Sequence, residues 1–259
     1  MSLAQAFYEY FDNFRVALSF ALLLAFLFPA TQAPGLFIGS GSIFADYNFL
    51  KLDIASILLP LAILLLFLFF YSIFVTLMVF AVKRDIAGVK AKYHLQDKIQ
   101  KYAVKLFAAY AAFSAVSIAI YSILMFYVPV WVLALLLGIV SLPLFFLPQA
   151  IVVEDRTAIN GIRAGLEFTV KYPKAFLAAF LAGSVLVLAI PAIEYAIDSY
   201  FALMGSFVSL ILMAVFVIPF LETYKTELYL QKFELLRSTQ GIKQPVKPVQ
   251  NTIRIKDIS

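Results

Sequence analysis

A chain of 259 residues that is 64% apolar and only 14% charged is not built for water, since soluble domains average about 45–50% apolar and about 25% charged residues. At about 20 residues per crossing, the length suits about six membrane spans with short loops and excludes a large soluble domain beside them. The net charge of +5 is no nucleic-acid signature, because its basic groups border apolar stretches and suit anionic headgroups, and the absence of cysteine excludes disulfides, thiol nucleophiles and cysteine-ligated metals.

An amphipathic leader, Ala4 to Phe14, runs into a first expected span at 16–30, bounded by Thr31 to Pro34. The rival reading is a cleaved signal peptide ending near Ala33; Glu9 and Asp12 against Arg15 alone favour a retained span, because a leader of that kind carries a positive amino-terminal region. Residues 31–53 form the longest translocated loop, with Gly35, Gly39 and Gly41 close together, read as a plain loop with a re-entrant segment as the alternative. Ile54 to Val82 is a second span, 29 residues without a charge, in which Pro60 marks a kink or the outer end.

Seven basic groups follow in the segment 83–105: Lys83, Arg84, Lys90, Lys92, Lys98, Lys101 and Lys105. Spans at 106–127 and 131–147 are joined by Val128–Pro129–Val130, with Tyr127 and Trp131 as interfacial anchors. Spans at 176–193 and 201–220 share a short turn carrying Glu194 and Asp198, and the last helix is expected to continue inward over Leu221–Thr239 as a second interfacial candidate, with Glu222–Lys225 and Glu234–Arg237 spaced for same-helix pairs.

This reading places 19 of the 20 lysines and arginines on one side, Lys51 being the exception, with net charges of +8 inside and −3 outside. Cytoplasmic loops keep Lys and Arg while translocated ones lose them, so both termini are expected in the cytoplasm. The fold class is therefore an all-α polytopic transmembrane helix bundle of six spans within residues 1–238, followed by a basic cytoplasmic tail at 239–259. Gly241 and Pro245 would separate the two. The tail reads as disordered and lipid-attracted, with a strand at 252–255 as the alternative.

Between the fourth and fifth spans, Arg156, Asn160, Arg163, Glu167 and Lys171 alternate with Ile159, Ile162, Leu166 and Val170 at helical spacing. This predicts an interfacial amphipathic helix over 155–172, capped by Asp155 and ended before Pro173, its apolar face toward the acyl chains. It serves either as an elbow between crossings or as a contact for lipid or a partner. The stretch from Leu144 to Ala178, with Pro148–Gln149, the Ile151 to Asp155 run and Lys171–Tyr172–Pro173, resembles a loose group of prokaryotic six-span proteins. That group includes the YciC-like proteins and the membrane region fused to some glycerophosphodiester phosphodiesterases. The resemblance implies architecture only, because this chain has no room for the hydrolase barrel of the fused members.

Catalytic constellations are missing. His94, the only histidine, falls on the opposite side from Ser40 and Ser42; it is separated from Asp97 by two residues where an acyltransferase motif has four; and the proposed spans contain no carboxylate for aspartyl chemistry. Neither Gly88–Lys92 nor Gly161–Gly165 completes a phosphate loop, and no metal-ligand spacing occurs. No enzyme activity, cofactor or metal is expected. Small hydroxyls such as Ser72, Thr76 and Ser184, with Pro60, Pro143, Pro191 and Pro219, leave open a passive transporter or lipid translocator.

Ala108 and Ala112 on span three and Ala175, Ala179 and Gly183 on span five recur at four-residue spacing, which predicts that these two spans meet, in one chain or across two. The preferred function is a non-enzymatic membrane scaffold or accessory protein. Its basic face, with Lys83, Arg84, Lys98, Lys101, Arg156, Arg163 and Lys171, would contact anionic lipid, a membrane partner or a second copy.

Overall fold

Long uninterrupted apolar runs leave the backbone no hydrogen-bonding solvent in a bilayer, so helix is the expected outcome. The structure, a computed structural model, describes residues 3–25, 36–45, 54–87, 95–201 and 204–239. Its helices are α1 (Leu3–Asp12), α2 (Phe14–Ala25), α3 (Ile54–Ala87), α4 (Leu95–Leu124), α5 (Val130–Ser141), α6 (Leu147–Glu154), α7 (Ala158–Lys171), α8 (Pro173–Asp198), α9 (Met204–Leu212) and α10 (Ile218–Thr239). Five segments among the described residues are long and apolar enough to cross a membrane: Leu58–Lys83, Asp97–Leu124, Val130–Glu154, Pro173–Asp198 and Met204–Lys232. The chain is thus a multi-pass helical membrane protein. Of the expected first span, α2 covers the beginning; 26–30 lie outside the described residues, as do His94 and the tail from 240.

The prolines act unequally. Pro60 and Pro191 sit inside unbroken helices, whereas Pro143 lies in a 3₁₀ turn, Leu142–Leu144, that separates α5 from α6 within one crossing. Pro219 follows a π-helical turn, Met213–Val217, between α9 and α10. A proline at that position supplies no N–H to the Val215 carbonyl four residues back. The Tyr10 hydroxyl donates to that carbonyl at 2.9 Å and so pins α1 beside the last helix.

The Gly-rich loop contains a hairpin, β1 (Leu36–Gly39) against β2 (Ser42–Ala45), antiparallel with Gly39 opposite Ser42. Ser40 and Gly41 both take positive φ, 49° and 72°, as the favoured two-residue hairpin turns require. The Ser40 N–H donates to Glu194 Oε2 at 2.5 Å and the Gly41 N–H to Ser209 Oγ at 3.0 Å. A Cβ at Gly41 would also meet Ile190 and Met213. Ile190 is about 12 Å along α8 from its Asp198 end, so the hairpin tip packs against α8, α9 and the π-helical turn.

Buried side chains concentrate at the opposite end of the bundle. There α6 is enclosed along its whole length from Leu147 to Val153, and α10 is buried on every side from Glu222 to Leu230. Around them pack α1, α3, α4 and α7. This is also where Lys83, Lys101, Lys105 and Asp155 converge, and it is called the basic end below.

Candidate functional site at the basic end

The basic cluster divides into two sets. Lys83 Nζ donates to the Val152 and Val153 carbonyls at 3.4 and 3.1 Å. Lys101 and Lys105 hold Asp155 at 3.1 and 3.4 Å, and Lys105 also donates to the Arg156 carbonyl at 2.9 Å. Unpaired carbonyls and the negative end of the helix dipole favour cations at that place. These lysines therefore clamp the carboxy-terminal end of α6. The hydrogen bond from Lys101, aided by Tyr102 and Lys105, holds the Asp155 carboxyl below its ordinary value. The second set comprises Lys98, Arg163 and Lys171, exposed like Lys101 but away from the end of α6; Arg163 pairs with its exposed helix neighbour Glu167 at 3.2 Å. Arg156 is intermediate in kind, its Nε 2.6 Å from Glu154, which also accepts from the Tyr229 hydroxyl. The Arg84 side chain lies outside the described residues.

Asp155 does not cap α7. It takes φ 52°, ψ 45° and terminates α6 instead; Thr157 is the cap, its side chain accepting from the Asn160 N–H. A left-handed residue ends a helix and cannot begin one, so α7 starts at Ala158 and not at 155. Nor does α7 stand apart from the bundle. It runs antiparallel along α6: a Cβ on Gly161 would collide with Ile151, and one on Gly165 would lie 2.9 Å from the Pro143 carbonyl. Gly161, Ala164, Gly165 and Phe168 form this docked face. On the far side, Ile159 and Val170 are 80% and 74% exposed, with Leu166 exposed between them. Of the predicted apolar stripe, Ile159, Leu166 and Val170 are exposed while Ile162 packs against the core, and the main contact with the protein is made by the opposite face of small residues and Phe168.

Of the packing residues, Ala175 and Ala179 are buried, and Gly183 faces Leu221 on α10. Ala108 and Ala112 are exposed, and α4 instead buries Tyr102, Ala103, Leu106 and Ala109, packing mainly on α3.

What sequence reasoning missed is that the polar side chains of α10 are enclosed. Glu222 accepts from Lys225 Nζ at 2.5 Å, from the Tyr71 hydroxyl at 3.3 Å and, on its other oxygen, from Gln149 Nε2 at 3.1 Å. Gln149 also reaches Thr226 Oγ1 at 3.3 Å. The Lys225 ammonium lies 5.0 Å from the centre of the Phe145 ring. Glu227 is 0% exposed, and its two oxygens meet no donor among the described residues. A signal was present: Glu222 and Lys225, three residues apart, share one helix face, and Glu227, two residues further on, falls on the opposite side. A helix charged on opposite sides that packs into a bundle must bury charge.

Beside this network, a cleft of about 320 Å³ opens between α8 and α10. Tyr71, Phe145, Ala179, Gly183, Val187 and Leu221 are among its walls, and Glu222 and Lys225 line it too. Lys225 and Ala179 mark its basic end, Val187 and Ile218 the other. Most span hydroxyls do not face it: those of Ser72, Thr76 and Thr223 donate to carbonyls four residues back at 2.6–2.9 Å. Among the described residues, no group of three or more acidic or histidine side chains is arranged to hold a metal.

No family model, curated protein or solved structure matches this chain.

Proposed function

We propose that the protein is a non-catalytic scaffold or accessory component of the cell membrane whose basic end faces the cytoplasm and engages anionic lipid headgroups. The orientation rests on the retention of Lys and Arg on the side of synthesis. The observation that carries the lipid reading is the double-sided α7. One face is seated in the bundle through Gly161, Ala164, Gly165 and Phe168. The opposite ridge of Ile159, Leu166 and Val170 is bare, with Arg163 beside it and Lys171 at its end. An apolar ridge flanked by cations is the arrangement with which an in-plane helix meets headgroups and upper acyl chains. Lys83 and Lys105, bonded at the end of α6 and less exposed, are less free for a headgroup, whereas Lys98, Lys101, Arg156, Arg163 and Lys171 are exposed and are the cations assigned to it.

Sidedness is testable because the chain has no native cysteine. A membrane-impermeant maleimide added outside should label Tyr127→Cys and spare Lys98→Cys; the reverse pattern overturns the orientation. For lipid, replacing Arg163 and Lys171 with Gln should lower enrichment of anionic over zwitterionic lipid around the reconstituted protein, read with spin-labelled lipids. Unchanged enrichment removes the reading.

The rival function is a passive transporter or lipid translocator. The α8–α10 cleft is the observation in its favour. A path across the bilayer needs polar groups along its length, and here, among the described residues, Ser184 is the one hydroxyl that lines the cleft beyond the Glu222–Lys225 end, so the cleft supports occupancy more than passage.

A further inference from the structure

The geometry points to the α8–α10 cleft as a binding site for one resident anionic phospholipid of the basic-end leaflet: an acyl chain between the two helices and a phosphodiester oxygen accepting from Lys225 Nζ. Three observations converge on this occupant. The first is the polarity of the groove along its length. Lys225 and Phe145 stand at the basic end, and the walls toward Val187 and Ile218 are aliphatic apart from Ser184. A phospholipid in that leaflet has the same order, with phosphate outermost and chain toward the bilayer middle.

The second is the unused capacity of Lys225. An ammonium has three N–H donors. One is taken by Glu222, and another side of the group rests on the Phe145 ring. The side chain is still 11% exposed while Glu222 is 4% exposed, and both line the cleft. Glu222 already accepts from Lys225, Tyr71 and Gln149, three donors for about four acceptor sites, and is less exposed than Lys225, so the pair offers the groove a donor more readily than an acceptor. A ligand oxygen, not a ligand cation, fits that wall.

The third is the surroundings of the mouth. Lys232 lies two turns beyond Lys225 on α10, 5.7 Å from the Tyr172 ring. Lys174 is exposed on the first turn of α8. These cations continue the positive character from the cleft toward the headgroup layer, which favours an anionic over a neutral lipid. The volume is at the small end of about 300–1,000 Å³ for ligand pockets and fits part of a single chain, leaving the other chain in the bulk bilayer.

The inference deepens the proposed lipid engagement and shares its orientation, but it uses no residue of the α7 ridge. The experiment is native mass spectrometry and lipid extraction from protein purified in mild detergent, comparing three variants with the parent. Gly183→Leu places a side chain in the groove without a backbone clash, because a Cβ there meets only Leu221 methyls at 3.4 Å. Ser184→Phe fills the same wall from a neighbouring position and serves as the independent second block. Glu222→Gln with Lys225→Gln removes the ammonium without leaving a lone buried charge.

The parent should carry a stoichiometric anionic phospholipid that survives detergent washing, and either blocking variant should lose it by about tenfold or more. The double Gln variant should lose the preference for phospholipid over uncharged diacylglycerol. Retention of lipid at the parental level by folded blocking variants means only annular lipid is present and overturns the site. So does loss in the Arg163→Gln, Lys171→Gln variant alone, which would leave the α7 reading intact. Failure of that α7 variant to change bulk anionic enrichment, with the cleft variants behaving as expected, would sink the α7 reading and leave the cleft standing.

Discussion

The two ends of the bundle invert each other's chemistry. At the basic end, polar and charged side chains are enclosed: Gln149, Glu222, Thr223, Thr226 and Glu227 are all at 3% exposure or less. Through the spans leading away from it, large apolar side chains are bare, among them Ile123, Leu135, Val185 and Leu188. Lipid is as apolar as leucine, so a span gains little by hiding such residues and can leave them on its surface. Where α6 and α10 are encircled by other helices, water is excluded from groups that need it, and each must find a partner within the protein. Burial here follows the number of surrounding helices and not hydropathy.

That contrast can be broken at its most charged point. Lys225→Ala leaves Glu222 enclosed without its cation and should cost about 3–5 kcal/mol, seen as a large fall in the unfolding temperature in detergent. Adding Glu222→Gln should recover most of it, and no recovery would mean that the charge pair is not what the site depends on.

A methyl group tests packing next. Gly165→Ala must push against the Pro143 carbonyl at 2.9 Å and the Leu147 N–H, both backbone, and overpacking of that kind costs about 1–3 kcal/mol. Gly138→Ala meets nothing within 4 Å and should stabilise α5 by up to about 1 kcal/mol, from helix propensity alone. Equal effects at the two positions would erase the difference between the ends.

Smaller again is Tyr10→Phe, which removes the donor that replaces the missing Pro219 N–H. It should cost about 1 kcal/mol and loosen α1, measured by faster hydrogen exchange over 3–12.

Asp155→Asn keeps a residue that tolerates positive φ while removing the clamp charge; because the pair is more than half exposed, the loss should stay below about 1 kcal/mol. The sign with pH follows from the lowered carboxyl. Its stabilisation is complete above about pH 4, the ordinary carboxylate range, and is lost as pH falls through the depressed folded-state value. The stability difference between parent and variant should therefore be flat from pH 5 to 8 and vanish in stronger acid.

The least effect is expected from Ala108→Leu with Ala112→Leu. Both residues are exposed, so the stability of a single chain should not move. A change in oligomeric state by light scattering would instead assign that face to a second copy.

Much of the site was only half legible. The apolar stripe of α7 was readable from Ile159, Leu166 and Val170, but the same periodicity also puts Gly161 and Gly165 in register on the other face, and small residues carry no hydropathy signal. Glu222 and Lys225 were readable as a same-helix pair; that Tyr71, Gln149 and Phe145 close around them was not, since those contacts join residues 73 to 151 positions apart. The cations looked alike in the chain, and only their bonds to the last α6 carbonyls and to the Asp155–Arg156 turn after them separate Lys83, Lys101 and Lys105 from Arg163 and Lys171.

Hydropathy alone determined that this is a multi-pass helical membrane protein and roughly where its later spans run, because the bilayer imposes one requirement on every residue that crosses it. Tertiary structure decided which polar groups are enclosed, which lysines are occupied, where the Gly-rich hairpin packs and where a cleft remains. Those outcomes depend on how many helices surround a position, and that number is set by neighbours distant in the chain.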